Sequence, residues 1–226
     1  MLEQPEILLE DEAVLAVNKP AGMLTIRDGY DPALLHLSGW LQERFGRVWT
    51  VHRLDKDTSG VILFARSADD HRFLNGQFED KQVRKVYHAL AWGLPEGKET
   101  LADFPLRVNG DRRHRTVIDR QRGKPASTAL RVQEAYQDFA ACLIEARPGT
   151  GYTHQIRAHL THLGFPLLGD ALYGRHDSHP GQPLLIQRTA LHAAQITFHH
   201  PLTREDFTIS APYPDDFRLA LEQLRG

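Results

Sequence analysis

The segment His52-Arg-Leu-Asp-Lys-Asp-Thr-Ser-Gly60 concentrates charged and titratable side chains immediately before an apolar run at residues 61–65. A continuous apolar run of this length predicts a buried strand. Loops at strand ends are where a rigid scaffold usually presents its reactive groups. The carboxylates of Asp55 and Asp57 could then serve as a nucleophile, as a general base or as ligands of a cation.

The spacing of these two carboxylates fits three known arrangements. A calcium-binding EF-hand loop begins Asp-x-Asp-x-Ser-Gly, but its twelfth position requires a bidentate Glu and is Arg66 here. The aspartyl nucleophile of phosphatase-type hydrolases has the same spacing and binds magnesium, but it follows a strongly apolar strand, and here residues 49–54 precede it, with polar His52 and Arg53. Carboxylates in an acid-rich turn can also simply accept bonds from neighbouring backbone amides. Arg66 at the twelfth position excludes the calcium loop, and the other two interpretations stay open.

Hydrophobic periodicity and turn signals indicate the elements that must position this segment. They predict strands at residues 15–19, 61–65, 85–92, 128–135 and 139–146. They also predict helices at residues 34–45, from the glycine-containing residues 149–154 to about Leu163, and in the last dozen residues. Another helix is expected after Ser67-Ala-Asp-Asp70, which has the form of a capping box. Because strands and helices are interspersed without a regular βαβ rhythm, we expect an α+β fold with a mixed, mainly antiparallel central sheet and flanking helices. No repeat or long linker divides residues 1–226, so we expect a single domain.

The bulk composition narrows the class of protein. The 226 residues are 41% hydrophobic and 25% charged, which is ordinary for a globular protein. Cys142 is the only cysteine, so no intrachain disulfide can form and nothing indicates an oxidising compartment. The first residues lack the features of a signal peptide, and no apolar stretch approaches the roughly 20 residues needed to span a bilayer. We therefore expect a cytoplasmic protein that does not associate with membranes.

The charge of the chain is unevenly distributed. The formal net charge of −2 at pH 7 gives no support to the binding of a polyanion. Residues 107–124, however, contain seven Lys or Arg against two Asp. A local basic patch can hold a phosphate backbone even on a mildly acidic protein. On charge alone, a solvated hairpin loop is the favoured interpretation.

Several motifs in fixed order resemble those of the RluA family of RNA pseudouridine synthases. The most informative is His52-Arg-Leu-Asp55-x-x-Thr-Ser-Gly60. The other matching segments are Asn18-Lys-Pro-Ala-Gly22, Lys85-Val-Tyr87, Gly123-Lys-Pro-Ala-Ser-Thr128, Gly151-Tyr-Thr-His-Gln-Ile-Arg-Ala-His159, Leu163-Gly-Phe-Pro-Leu-Leu-Gly-Asp170 and Tyr173-Gly174. The resemblance covers about residues 8–212. One position departs from it, because Tyr152 stands where the family usually has Arg and is closer to sister families.

The resemblance implies an enzyme that isomerises uridine to pseudouridine in RNA, with Asp55 as its catalytic carboxylate. This reaction cleaves a carbon–nitrogen glycosidic bond and rejoins the same base through carbon, without a redox change or an external acceptor. We therefore expect neither a cofactor nor a metal. A carboxylate can act as a nucleophile on the sugar or as a base at its 2′ position, and the sequence leaves both open.

Two further catalytic residues are implied by the resemblance. Asp55 must be ionised in a dry pocket, where burial disfavours the charge, and Arg157 is implied to be the cation that pairs with it. Tyr87 is implied to stack on the target base, and its phenol can help to move the proton released from carbon 5 of uracil. Without the resemblance, Tyr87 would be interpreted as a core residue and Arg157 as a surface residue of its helix.

The expected RNA contacts lie around these residues. The target base must leave the stack, and the guanidinium of Arg53 is implied to fill the gap or to bind phosphate, with a salt bridge to Asp57 as the alternative. The complete set of expected RNA-binding residues is Lys19, His52, Arg53, Arg112, Arg113, Arg115 and His154. We expect a monomer that recognises a stem-loop of transfer or ribosomal RNA, without an appended N-terminal RNA-binding domain. A non-catalytic RNA-binding or chaperone protein on the same fold is the alternative function.

Overall fold

The structure, a computed structural model, describes residues 4–174 and 186–226. Its strands are β1 (Glu6–Glu10), β2 (Val14–Lys19), β3 (Trp49–Thr50), β4 (Ser59–Ala65), β5 (Arg84–Trp92), β6 (Glu99–Asp103), β7 (Leu106–Arg107), β8 (Val117–Ile118), β9 (Ser127–Tyr136), β10 (Ala141–Pro148), β11 (Leu191–His199) and β12 (Asp206–Ser210). Its helices are α1 (Leu37–Phe45), α2 (Ala68–Glu79), α3 (Gln155–His162) and α4 (Asp215–Arg225). The chain divides into two compact units, the first formed by Met1–Lys85 with His192–Tyr213 and the second by Val86–Leu191 with Pro214–Gly226.

The first unit is built around β4, the strand that follows the signature segment. β2 and β3 pair with β4 antiparallel, and β1 pairs with β2. β11 pairs with β4 in parallel and with β12 antiparallel. All seven residues of β4 are buried, which confirms the prediction of a buried strand at residues 61–65 and extends it by two residues. The predicted capping box is also present, because the Ser67 hydroxyl accepts a hydrogen bond from the Asp70 amide at 3.1 Å.

The second unit is an antiparallel arrangement in the order β5-β10-β9-β6. The apolar face of α3 packs on it, with Ile156 and Leu160 buried in one cluster with Ala89 and Ile144, and Leu163 partly buried against the same cluster. β7 and β8 form a small hairpin that contains part of the basic stretch. Mainly antiparallel strands with interspersed helices confirm the expected α+β class.

Several boundaries differ from the predictions for local reasons. The helix predicted from residue 34 begins at Leu37, because the His36 side chain accepts a hydrogen bond from the Gly39 amide at 2.9 Å and caps the first turn. Seven strands had no prediction, namely β1, β3, β6, β7, β8, β11 and β12. Within residues 4–174 and 186–226, no helix has the length and apolar character that a bilayer crossing requires.

Candidate active site

The backbone on both sides of the Asp55 side chain is held by hydrogen bonds. The Thr58 amide donates to the Asp55 carbonyl oxygen at 3.1 Å and closes a turn. The Thr25 hydroxyl donates to the Leu54 carbonyl oxygen at 2.9 Å and accepts from the Leu54 amide at 3.2 Å. Asp55 is half-buried on this turn, whereas Arg53 and Asp57 are exposed. The turn therefore presents one partly shielded carboxylate between two exposed charges.

Lys19 lies beneath this turn and is completely buried. Its ammonium donates to the carbonyl oxygens of Pro20 at 2.9 Å, Met23 at 2.8 Å and Lys56 at 3.1 Å. The Gly22 amide donates to the same Lys56 carbonyl at 2.9 Å. A buried charge must be satisfied internally, and this one is bonded to backbone oxygens. The predicted contact of Lys19 with RNA stays a prediction. Its observed contacts fix the segment after β2 against the residue that follows Asp55.

The His52 ring is directed into the first unit. Its Nε2 atom accepts a hydrogen bond from the Leu63 amide at 3.1 Å, and the ring stacks on Phe78 at 4.8 Å between centroids. Burial, with the nearby charge of Lys85, lowers the pKa of His52 to about 3, and burial also lowers the pKa of Lys85. A neutral His52 therefore supports β4, and its predicted RNA contact stays a prediction.

The last residues of the signature enter β4 through a close approach to β11. The buried Ser59 hydroxyl lies 2.9 Å from His192 Nδ1, and His192 Nε2 lies 3.2 Å from the Ala211 carbonyl oxygen. Gly60 has a φ of 114°, and a Cβ at this position would lie 2.2 Å from the Ala193 carbonyl oxygen. Glycine is thus required by both the backbone conformation and the neighbouring strand.

Arg157 forms a buried, bidentate ion pair in the second unit. Its Nε and Nη2 atoms donate to Oδ2 and Oδ1 of Asp170 at 2.7 and 2.8 Å. The side chains of Arg157 and Asp170 are 9% and 0% exposed. Asp170 Oδ1 also accepts from the amides of Leu172 and Tyr173, each at 3.0 Å. The fork geometry fixes the plane of the guanidinium, which a lysine could not reproduce.

Tyr173 connects this arginine to the basic hairpin. Its ring lies 4.9 Å from the Arg157 guanidinium carbon. Its hydroxyl accepts from the Thr116 amide at 2.8 Å, donates to the Thr116 carbonyl oxygen at 3.0 Å and lies 3.3 Å from His154 Nδ1. Burial raises the pKa of Tyr173 to about 12, so the phenol keeps its proton at neutral pH. His154 is thereby placed at the start of α3, in a left-handed conformation with φ 56°.

The two other tyrosines singled out in the sequence are half-buried in the second unit. Tyr87, on β5, packs against the core cluster that includes Ile156 and Leu160. Tyr152 packs against a separate small cluster formed by Leu106, Ala126, Ala158 and Tyr173. Where the family usually has a cation, this chain therefore has a ring that supports the hairpin and α3.

The basic stretch contains cations in two different states. Arg107 and Arg115 form ion pairs with Asp119 and Asp111 at 2.8 and 2.6 Å. Arg112 and Arg113 are exposed, and the Arg113 guanidinium donates a long 3.4 Å bond to the Ala171 carbonyl oxygen. The remaining exposed cations are Arg120, Arg122 and Lys124. The structure thus separates Arg115, which holds the hairpin, from Arg112 and Arg113, which face solvent.

Sequence reasoning did not assign a role to Asp170 or Tyr173. Both lie in segments that carry the family resemblance, and that position was the available signal. The predicted site residues are divided between the units: Lys19, His52, Arg53 and Asp55 lie in the first, and Tyr87, Arg112, Arg113, Arg115, His154 and Arg157 lie in the second. Among the described residues, no group of three or more His, Cys, Asp or Glu side chains has a metal-binding arrangement.

Comparison with known proteins identifies the family. Residues 13–162 match the RNA pseudouridylate synthase family, a range that includes Asp55, Tyr87 and Arg157. The chain is 35% identical to the dual-specificity RNA pseudouridine synthase RluA of Vibrio vulnificus, over 93% of this chain and 85% of that protein. The chain belongs to the RluA family of pseudouridine synthases.

Other members of the family cover most of the chain. It is 34% identical to tRNA pseudouridine synthase C of Haemophilus influenzae, over 96% of this chain and 97% of that protein. It is 38% identical to the ribosomal large subunit pseudouridine synthase D of Zymomonas mobilis, over 97% of this chain and 72% of that protein. Among solved structures, human RNA pseudouridylate synthase domain containing 1 matches with a TM-score of 0.78 and 28% identity, over 94% of this chain and 84% of that one.

Proposed function

We propose that this chain isomerises a uridine to pseudouridine in ribosomal or transfer RNA, with Asp55 as the catalytic carboxylate. The observation that carries the proposal is the family match over residues 13–162, within which the Asp55 signature is intact. A relative named for ribosomal RNA is 38% identical to the chain and one named for transfer RNA is 34% identical, so both RNA classes belong to the proposal.

Asp55 suits this chemistry because its position is fixed while its side chain is only partly shielded. A turn held by Thr25 and Thr58 keeps the carboxylate in place, which reduces the entropy lost on reaching the reactive geometry. The carboxylate either attacks the sugar carbon that bears uracil or removes the 2′ proton. Both routes release the uracil, which rotates and rejoins the sugar through carbon 5. In the first route carbon 5 displaces the carboxylate from the sugar, and in the second the carboxyl group returns the proton to carbon 2′. The proton on carbon 5 then leaves, and N1, which has lost the sugar, gains a proton.

Arg157 and Tyr87 complete the proposed catalytic set. In the proposal, Arg157 pairs with Asp55 and keeps it ionised. Asp170 holds the guanidinium in place through Nε and Nη2. Tyr87 stacks on the target uracil and assists the transfer of the carbon 5 proton. Neither role requires a cofactor.

The RNA contacts in the proposal follow the exposed cations. Arg53 stands two residues before Asp55 and is exposed, as a residue that occupies the gap left by a flipped base must be. Arg112 and Arg113, at the tip of the β7–β8 hairpin, contact phosphates, and Arg115 supports them through Asp111. The proposal includes a monomer in the cytoplasm that acts on a stem-loop; a single species of about 26 kDa in light scattering would support the monomer.

Mapping of pseudouridines in RNA from cells with and without the gene tests the proposal and identifies the target. We expect at least one site in ribosomal or transfer RNA to revert to uridine in the deletion. The alternative, a non-catalytic RNA-binding or chaperone protein, predicts an unchanged map. It also predicts that the purified protein binds transcripts without releasing tritium from uridine labelled at carbon 5.

A further inference from the structure

A second group of arginines lies in the first unit, outside the signature segment and the basic hairpin. Arg44 lies over the ring of Trp40, with 4.2 Å between its guanidinium carbon and the ring centroid. Arg47 lies over the ring of Trp49 in the same way, at 4.8 Å. Both arginines are exposed and both tryptophans are half-buried. We refer to these four residues as the arginine–tryptophan surface.

The charge of these two arginines is not neutralised. In the part of the chain that the structure describes, neither guanidinium forms an ion pair with a carboxylate. Arg66 differs, since it lies 6.0 Å from the Phe45 ring but pairs with Glu10 at 3.3 Å. A ring beneath a guanidinium orients its plane while leaving the donors at its edge available, which is the arrangement that binds phosphate as a fork.

The two arginines are close enough to act on one nucleic-acid strand. α1 ends at Phe45, and Gly46 turns the chain with φ 72° so that Arg47 follows directly. Arg47 is three positions after Arg44, so their Cα atoms are at most about 11 Å apart. This distance corresponds to about three nucleotides at roughly 3.4 Å per step along a strand.

The surface is connected to the signature segment by a short stretch of chain. Trp49 begins β3, and Asp55 is six residues later. Six residues span at most about 20 Å, which is about six nucleotides of one strand. Arg47 and Arg44 precede Asp55 by 8 and 11 residues, at most about 28 and 38 Å. An RNA strand that runs from Asp55 toward them would therefore meet them within about 8 and 11 nucleotides of its target.

We propose that the arginine–tryptophan surface binds the phosphate backbone of the substrate RNA within about 11 nucleotides of the target uridine. The inference rests on the proposed function, from which it takes the identity of the polyanion. The contacts position the RNA and carry no sequence information. Because they lie away from Asp55, they contribute to affinity and leave the chemical step unchanged.

The variant Arg44→Gln/Arg47→Gln tests this surface in the full chain. We expect the slope of log affinity against log salt, measured with an unmodified tRNA transcript, to fall by about 1.4–1.8, since each phosphate contact accounts for about 0.7–0.9. Extrapolated from a common affinity at 1 M salt, this slope change weakens binding at 0.15 M salt by about 10- to 30-fold. Single-turnover conversion at saturating RNA should equal that of the wild type.

Two further variants separate a phosphate contact from a structural or net-charge effect. Arg44→Lys/Arg47→Lys keeps the charges and should retain the wild-type salt slope. Arg72→Gln/Arg218→Gln removes the same net charge from arginines already paired with Asp69, Asp215 and Glu222, and it should also retain the wild-type slope. An unchanged slope in the Gln variant of the surface, or an equal fall in either control, overturns the inference. The binding assay needs no turnover, so a wild-type protein that binds but does not convert uridine would contradict the proposed function and still decide this inference.

Discussion

The ion pair between Arg157 and Asp170 has a natural control in the same unit. Arg188 and Asp216 form the same fork, with Nε–Oδ2 and Nη2–Oδ1 distances of 2.7 and 2.8 Å in both pairs. The carboxylates differ in depth, because the Asp170 side chain is 0% exposed and that of Asp216 is 45% exposed. The two pairs therefore test how much burial, at constant geometry, changes the cost of losing a partner.

Asp170→Ala should be strongly destabilising, because it removes the bidentate partner of a buried guanidinium. Loss of one partner of a buried pair costs about 3–5 kcal/mol, which in a chain of this size lowers Tm by roughly 6–20 °C. Asp216→Ala should cost no more than about 2 kcal/mol, the sum of a pair with a half-exposed carboxylate and a favourable charge in the first turn of α4. The Arg188 side chain is 12% exposed, but its Nη1 atom also donates to the carbonyl oxygens of Thr189 and Leu191. Thermal and urea unfolding followed by circular dichroism measure both values.

A double variant separates the loss of a charge partner from simple loss of packing. Arg157→Met/Asp170→Leu removes both charges, so its unfolding free energy should lie above that of Asp170→Ala. Equal losses for Asp170→Ala and Asp216→Ala would refute the reasoning. A double variant with a lower unfolding free energy than Asp170→Ala would also refute it.

Four other expectations follow from contacts in the two units. Lys19→Met should lower the unfolding free energy by about 3 kcal/mol or more in urea titration, because three carbonyl oxygens lose a charged donor, whereas Met at the exposed Lys56 should have little effect. The pKa of His52 falls from 6.5 to about 3 on folding, so the neutral ring costs no stability above pH 6.5, and the unfolding free energy falls as pH drops from 6.5 toward 3. The loss from this residue should be about 2 kcal/mol at most by pH 5. A ring that titrates near pH 6.5 in the folded protein by NMR would contradict this expectation. Gly60→Ala should lower the unfolding free energy by about 2–5 kcal/mol, because the added Cβ clashes with Ala193 and φ is positive. Gly76→Ala in α2 should raise it by about 0.5–1 kcal/mol, because a Cβ there would have no other atom within 4 Å. Arg112→Gln/Arg113→Gln should lower the salt slope of RNA binding by about 1.4–1.8, and an unchanged slope would show that the hairpin tip is merely solvated.

Long elements with a clear apolar pattern were predictable from the sequence. β4, α3 and the α2 capping box all form where residue types alone placed them. The strands without a prediction are short or lack alternation; in β11, for example, His192 and Gln195 interrupt the apolar residues. Such strands form because a neighbour supplies the pairing, which periodicity within one segment does not reveal.

The candidate site was predictable to the extent that it depends on residue type and order. Charged residues before a predicted buried strand drew attention to Asp55, and the motif resemblance assigned it. The burial of Lys19 could not be predicted, because the sequence around a lysine does not reveal whether its ammonium faces solvent or bonds to three carbonyl oxygens. Asp170 lies 13 residues beyond Arg157 and across a turn, outside the range of any helical or strand spacing. Tyr173 joins Arg157 to Thr116 only through the fold of the second unit.

The most direct test of the central claim is tritium release from RNA labelled at carbon 5 of uridine, measured under single-turnover conditions with wild-type protein and with Asp55→Asn. The substitution keeps the size and hydrogen-bonding capacity of the side chain and removes its charge. We expect wild-type protein to release tritium, and Asp55→Asn to release less than about one per cent of that rate while it binds the RNA and unfolds as the wild type does. Residual turnover above that level in a folded, RNA-binding Asp55→Asn variant would contradict the assignment of Asp55 as the catalytic carboxylate.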